Sequence, residues 1–147
     1  MKFRRDIFVK HETYHYSLWQ DVLSACTDFE PFLPYSENTK VLFEPLKIGS
    51  HTSVNRIALQ PMEGTDGTED GAPGELTKRR YIRFAEGGAG LIWFEAVASA
   101  PEVRASAHQL WMTDKNVDAF KKLVEDIKEA GIKKNGYAPV IVMQATN

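Results

Sequence analysis

The chain has 147 residues, 43 % hydrophobic and 26 % charged, with 18 lysines and arginines against 20 acids for a net charge of −2. That length carries one domain with a real core, and the charge balance leaves no footprint for nucleic acid or for an anionic membrane surface. A single cysteine, Cys26, excludes an internal disulfide and fits a reducing compartment. No apolar run is long enough to span a bilayer, and the basic start MKFRRDIFVKHETYHY lacks the apolar stretch of a signal peptide, so the expected location is cytoplasmic.

Residues 1–40 read as an N-terminal extension. Within SLWQDVLSACTD, Leu18, Trp19, Val22, Leu23 and Cys26 recur at helical spacing behind Ser17, a candidate N-cap. FEPFLPYSENTK, broken by Pro31 and Pro34, is extended or looped. From Val41 the pattern changes. Leu46–Ile48 and Thr52–Val54 read as a small hairpin around Gly-Ser-His, and Arg56–Leu59 as a buried strand that Pro61 stops, because proline cannot donate to a central ladder. The loop EGTDGTEDGAPG follows, long enough to be functional or disordered.

ELTKRRYIRFAE reads as a helix with Leu76, Tyr81, Phe84 and Ala85 inward, ended by Gly87 and Gly88. Gly90 to Glu95, in AGLIWFEAVA, reads as a second buried strand. After the loop SAPEVRASAHQLWM, Thr113 or Asp114 caps a helix to about Ala130, with Val117, Phe120, Leu123, Val124 and Ile127 on one face and Gly131 closing it. PVIVMQ is a third buried strand.

From Arg56 the order is strand, helix, strand, helix, strand. Short strands with helical crossovers indicate a parallel α/β sheet with its helices outside. No helix follows the third strand, so large apolar edges are expected to stay open. Either the chain is part of a longer one, or something else, a second copy included, supplies the cover.

In parallel α/β folds, ligands sit at the C-terminal ends of strands. Those ends here are Gln60-Pro61-Met62-Glu63, Glu95-Ala96 and Gln144-Ala145-Thr146-Asn147. No Gly-x-Gly-x-x-Gly follows a strand, and EGGAG precedes one, so Gly87 to Gly90 read as a helix end and a tight turn. His11, His15, His51 and His108 are scattered. His11 and His15 are four apart but have no third ligand nearby, so no metal site is expected.

The segments LFEPLKIGSHTSVNRIALQPM, YIRFAEGGAGLIWFEAVASAPEVR, LWMTDKNVDAFKKLVEDIKEAG and PVIVMQ, in order over residues 41 to 147, resemble the opening of the Old Yellow Enzyme family. These are FMN-dependent NAD(P)H:flavin oxidoreductases built on a TIM (β/α)₈ barrel. The resemblance implies the N-terminal part of such a barrel: its first three parallel strands with two crossover helices, preceded by the hairpin and the extension. It also implies that Pro61 and Met62 lie against the flavin ring. The next position, commonly Thr, Cys or Ser in the family, is Glu63 here. Its carboxylate either disfavours the anionic reduced flavin or, the reading preferred, turns to solvent. Ala96 takes the place of the small residue beside the flavin N5 region. Gln144 matches the glutamine that bonds the pyrimidine edge, a task suited to an amide that both donates and accepts.

The implied reaction passes hydride from NAD(P)H through FMN to an electron-poor alkene, typically an α,β-unsaturated carbonyl, with a small molecule as substrate. The family's substrate-binding His/Asn pair and proton-donating Tyr come from later strands, and its phosphate site from the loops after strands seven and eight. No catalytic residue is therefore assigned, and the chain alone is expected to bind FMN weakly or not at all and to reduce nothing.

Each residue also has a structural reading. Pro61 can be a strand stop, Met62 plain core, Ala96 packing, and Gln144 a cap at the rim. Glu95 is expected to pair with a buried arginine such as Arg56 rather than touch ligand. Trp93 and Phe94 suit packing, and Arg104 a solvated charge. LQPMEGTDGT also resembles the opening of tRNA-dihydrouridine synthases, where Pro-Met-x-Gly cradles flavin. The net charge and the GGAGLI…EAVA segment argue against that alternative. A downstream cysteine would favour it, and a His-x-x-His or His-x-x-Asn pair the ene-reductase. A third alternative is a non-catalytic truncated or self-associating module.

Overall fold

A computed structural model describes residues 15–25 and 35–147. Cys26, Pro31, Pro34 and His11 lie outside the described residues. The chain falls into two compact units that part between Glu37 and Asn38. In the first, helix α1 spans Trp19–Ala25 and buries no residue. It starts two positions after Ser17, and Asp21 in its first turn accepts the N–H of Leu18, the residue before the helix, on Oδ2 at 3.1 Å. Trp19 stacks on Tyr35 at 4.1 Å between ring centroids.

The second unit holds a hairpin and an α/β layer. Strands β1 (Leu46–Ile48) and β2 (His51–Ser53) pair antiparallel, so the hairpin's second arm starts one residue earlier than its sequence suggests. Gly49 takes the turn at φ +59, open to glycine at little cost. A parallel sheet follows in the order β3 (Ala58–Leu59), β4 (Leu91–Ala98), β5 (Val140–Thr146). Helices α2 (Glu75–Glu86) and α3 (Val117–Asn135) make the crossovers. Tyr81 and Ala85 of α2, Phe120, Leu123 and Ile127 of α3, and Ile92, Phe94 and Val97 of β4 form one core, so both helices cover the same face. Tyr81 stacks on Phe94 with centroids 4.0 Å apart.

Several boundaries differ from the sequence reading. Of the three parallel strands, only β4 is buried. β3 is an edge of two residues with Arg56, Ile57 and Ala58 exposed, because it has a neighbour on one side alone. β5 is half-exposed for the same reason, and its Met143 is 54 % exposed. β4 runs to Ala98, three residues past Glu95, because Ala96, Val97 and Ala98 stay in register with Gln144, Ala145 and Thr146. Leu76 is 53 % exposed, and Thr77 takes the inward place in the first turn of α2. Gly131 does not close α3. It lies buried inside the helix, where an added Cβ would meet Tyr137 O at 2.8 Å and Pro139 Cδ at 2.9 Å. The closing residue is Gly136, at φ +83. At the other end of α3, the Val117 N–H already bonds the Thr113 carbonyl, so the chain winds from Thr113.

Lys78 of α2 and Lys122 of α3 share Asp126, at 3.2 and 2.6 Å. The Lys122 hydrogen bond, then the one from Lys78, hold the Asp126 carboxyl below its usual range against the opposing effect of burial. A depressed folded-state value stabilises the fold above the unfolded value of about 4, and that contribution is lost as pH falls through the folded one. Asp126→Asn is therefore expected to flatten the acid limb of stability below about pH 4 in urea melts.

A glycine-to-alanine change inside a helix ordinarily gains about 1 kcal/mol. At Gly131 the crowding reverses the sign, with an expected loss of about 1–3 kcal/mol. At Gly136, where nothing lies within 4 Å, the expected loss is smaller and arises from backbone strain alone. Chemical denaturation of the two variants checks both.

Candidate functional site

All strands of the parallel sheet point the same way, so the segments after β3, β4 and β5 leave from one end. β3 stops at Leu59, and the Met62 N–H turns back to the Gln60 carbonyl at 2.9 Å, a tight turn about Pro61. Pro61 is half-buried. Met62 is 75 % exposed, which rules out plain core, and Glu63 is exposed.

β4 reaches this end through a bulge. Trp93 is in register with Val142 and Ala96 with Gln144, so β4 spends one residue more than β5. Before the bulge Ile92 and Phe94 face the helices; after it Val97 does. The parity switch puts Ala96 on the face away from the helices, beside Gln144. Ala96 is 6 % exposed and its carbonyl accepts from Gln109 Nε2 at 3.4 Å. Gln144 Oε1 is buried and accepts no hydrogen bond among the described residues. An orphaned buried acceptor is uncommon and asks for a donor.

In the bulge Phe94 and Glu95 together stand against Met143, and Glu95 is 1 % exposed. Its Oε2 accepts the Gly64 N–H at 3.0 Å and its Oε1 the Arg80 Nη2 at 2.7 Å. Its own N–H donates to the Tyr81 hydroxyl at 2.7 Å, and burial raises the pKa of that hydroxyl above its ordinary value. Glu95 is thus structural, but its partner is Arg80 of α2 and not Arg56. Among the described residues the Arg56 guanidinium reaches only Glu44, at 3.5 Å on the surface. Arg80 Nη2 also bonds Asp66 Oδ1 at 2.9 Å, and Thr77 Oγ1 bonds the same oxygen at 2.6 Å. Burial works against the Arg80 charge, but the hydrogen bonds it donates to Glu95 and Asp66 outweigh it and hold its pKa above the ordinary value.

The loop after β3 is tied down along its length. Gly67 N–H donates to the His108 carbonyl at 3.0 Å, and Trp111 N–H to the Gly71 carbonyl at 3.0 Å. Asn116 Nδ2 donates to the carbonyls of Asp70 and Trp111, both at 2.9 Å. Arg104, expected in solvent, donates to the carbonyls of Glu69, Ala107 and Gln109 and so clasps the two loops. Trp93 is exposed on the face opposite the helices, while Phe94 packs as expected. Among the described residues no group of His, Cys, Asp and Glu could hold a metal ion, and no helix is long and apolar enough to cross a membrane.

Sequence reasoning missed Arg80, Asp66 and Thr77. The available signal was the glycine after Pro-Met-Glu. Gly64 does not have a positive φ, so its small size had to serve a close approach.

A model of the NADH:flavin oxidoreductase / NADH oxidase family matches residues 41–134. The NADPH dehydrogenase of Bacillus subtilis is 37 % identical over 94 residues, covering 63 % of this chain and 28 % of that protein. The Old Yellow Enzyme of Pichia sp. superposes with a TM-score of 0.62 at 29 % identity, over 73 % of this chain and 26 % of its own. Morphinone reductase in complex with tetrahydroNAD superposes at 0.57 and 29 %, over 71 % and 26 %. The chain thus spans about 28 % of the length of the curated relatives it matches. Its fold is the first three strands of a (β/α)₈ barrel with two crossover helices. Gln144 lies beyond the residues of the family match.

Replacing Glu95 by Ala leaves Arg80 buried without its main partner, and the expected cost is about 3 kcal/mol. Arg56→Ala should stay within about 0.5 kcal/mol, as exposed pairs do. Equal losses in urea melts would contradict the assignment of Arg80 as the partner.

Proposed function

The chain belongs to the NADH:flavin oxidoreductase / NADH oxidase family, and from it we propose that these residues form the flavin-facing start of an FMN-dependent ene-reductase using NAD(P)H. Pro61, Met62 and Glu63 on the first turn, Ala96 on the second strand and Gln144 on the third hold FMN. The observation that carries the reading is the pairing of Ala96 with Gln144, whose Oε1 is buried and unpartnered. A flat ring with a polar edge fits that arrangement: the small Ala96 leaves room for the ring, and the Gln144 amide both accepts from and donates to its edge. The exposed Met62 supplies a polarisable apolar surface for the ring to rest on. The chemistry FMN supplies when bound is hydride transfer from NAD(P)H to an electron-poor alkene such as an α,β-unsaturated carbonyl.

The protein's part here is orientation. Glu63 carries its carboxylate exposed at the tip of the turn and faces solvent. Because the chain spans about 28 % of its relatives' length, the remaining contacts to FMN and to substrate belong to segments these residues do not include. The chain alone therefore binds FMN weakly and oxidises no NADPH.

Titrating ¹⁵N-labelled chain with FMN tests this. Amide shifts are expected at Met62, Glu63, Ala96 and Gln144, with fast exchange, and Gln144→Leu should abolish those at Ala96. Shifts confined to the outer face of α2, or none at millimolar FMN, would refute the contacts. Tight stoichiometric fluorescence quenching would refute the weakness of binding.

A further inference from the structure

The turn after Pro61 is not a relaxed loop. Thr65 sits at φ +46, in the left-handed region that a β-branched residue enters only at a cost. Asp66, the next residue, is held by Arg80 Nη2 and Thr77 Oγ1. Gly64, the residue before, donates its N–H to Glu95. Arg80 lies across both: a Cβ on Gly64 would come within 2.0 Å of its Nη2 and 2.5 Å of its Cζ. Arg80 Nη1 also points to the Met62 carbonyl, at 3.4 Å. Arg80 thus touches both ends of residues 62–66, at the Met62 carbonyl and at Asp66, and bonds the Glu95 carboxylate that holds Gly64 between them; Thr77 on Asp66 and the Gln60 carbonyl on Met62 supply the other bonds.

We propose that Arg80 is a positioning residue for the flavin-facing turn. By bridging Glu95 and Asp66 it holds Met62 to Asp66 in a strained shape that the segment would otherwise leave. Gly64 is present because the guanidinium occupies the space of its side chain. Nη2 alone donates to both carboxylates while Nη1 points to the Met62 carbonyl, so a lysine ammonium can replace the first contact but lacks the second nitrogen of the guanidinium. The inference rests on the reading above for its purpose, because it takes the turn to face FMN. Its geometry needs no FMN, so it is tested without it.

Hydrogen exchange followed by mass spectrometry on the full chain reads residues 60–67 against residues 120–131 of α3. In Arg80→Ala, exchange over 60–67 should rise about tenfold while α3 is unchanged, the signature of a local opening. Arg80→Lys should fall between the two and serves if the alanine variant does not fold. Gly64→Ala should also open the turn, because the methyl collides with the guanidinium. The double variant should then exchange no faster than Arg80→Ala alone, since the collision has been removed. A general loss of stability does not produce that non-additivity. Unchanged exchange over 60–67, an equal rise in α3, or effects that multiply in the double variant would each overturn the proposal. Failure of the FMN titration would leave these results standing and remove only the purpose assigned to them.

Discussion

A carboxylate taken out of water has to be met on both oxygens, and at Glu95 each oxygen has one partner. Arg80 comes from the crossover helix and the Gly64 N–H from the loop after the first parallel strand. One side chain therefore joins strand, helix and loop. The bulge in β4 makes this compatible with a closed core. It takes Glu95 out of the two-residue alternation, so Phe94 and Val97 can both reach the helices while Ala96 turns to the other face. In a regular register continued from Trp93 and Val142, Glu95 would lie beside Gln144 and Ala96 would face the helices.

Much of this was legible in the sequence. The apolar period of α3 named Phe120, Leu123 and Ile127, and the β4 run named a strand that is buried except at Trp93. Parallel order followed from strands separated by helices, and it alone brings the tips of β3, β4 and β5 to one end. What the sequence could not convey was which of two glycines ends a helix. Gly131 and Gly136 carry the same residue type. One is needed because Tyr137 and Pro139 pass close by, the other because the backbone turns left-handed, and only coordinates separate these causes. The Glu95 partner was hidden for a similar reason. Arg80 sits in the run Lys78 to Arg83 with other cations, and nothing local marks it as the one turned inward.

Burial of the strands was overestimated because apolar runs report what a segment can bury, not what stands beside it. β3 and β5 each have a neighbour on one side. Met143 stands open beside α3 for that reason, and Ile57 beside β3. The same reasoning favours a ligand at the rim. Gln144 Oε1 is enclosed yet unpaired, in a structure that elsewhere commits its buried amides: Asn55 to Gly88 and Tyr137, Asn116 to Asp70 and Trp111, Gln109 to Ala96 and Ala105.

The loops after β3 and β4 are stitched to each other through Gly67, Gly71, Trp111, Asn116 and Arg104. Trp111 packs so closely on Gly71 that a Cβ there would meet its carbonyl oxygen at 2.6 Å. Such loops cannot drift in length independently. An insertion in one must be answered in the other, so descendants of this scaffold would change the mouth of the barrel by exchanging matched pairs rather than by editing single segments.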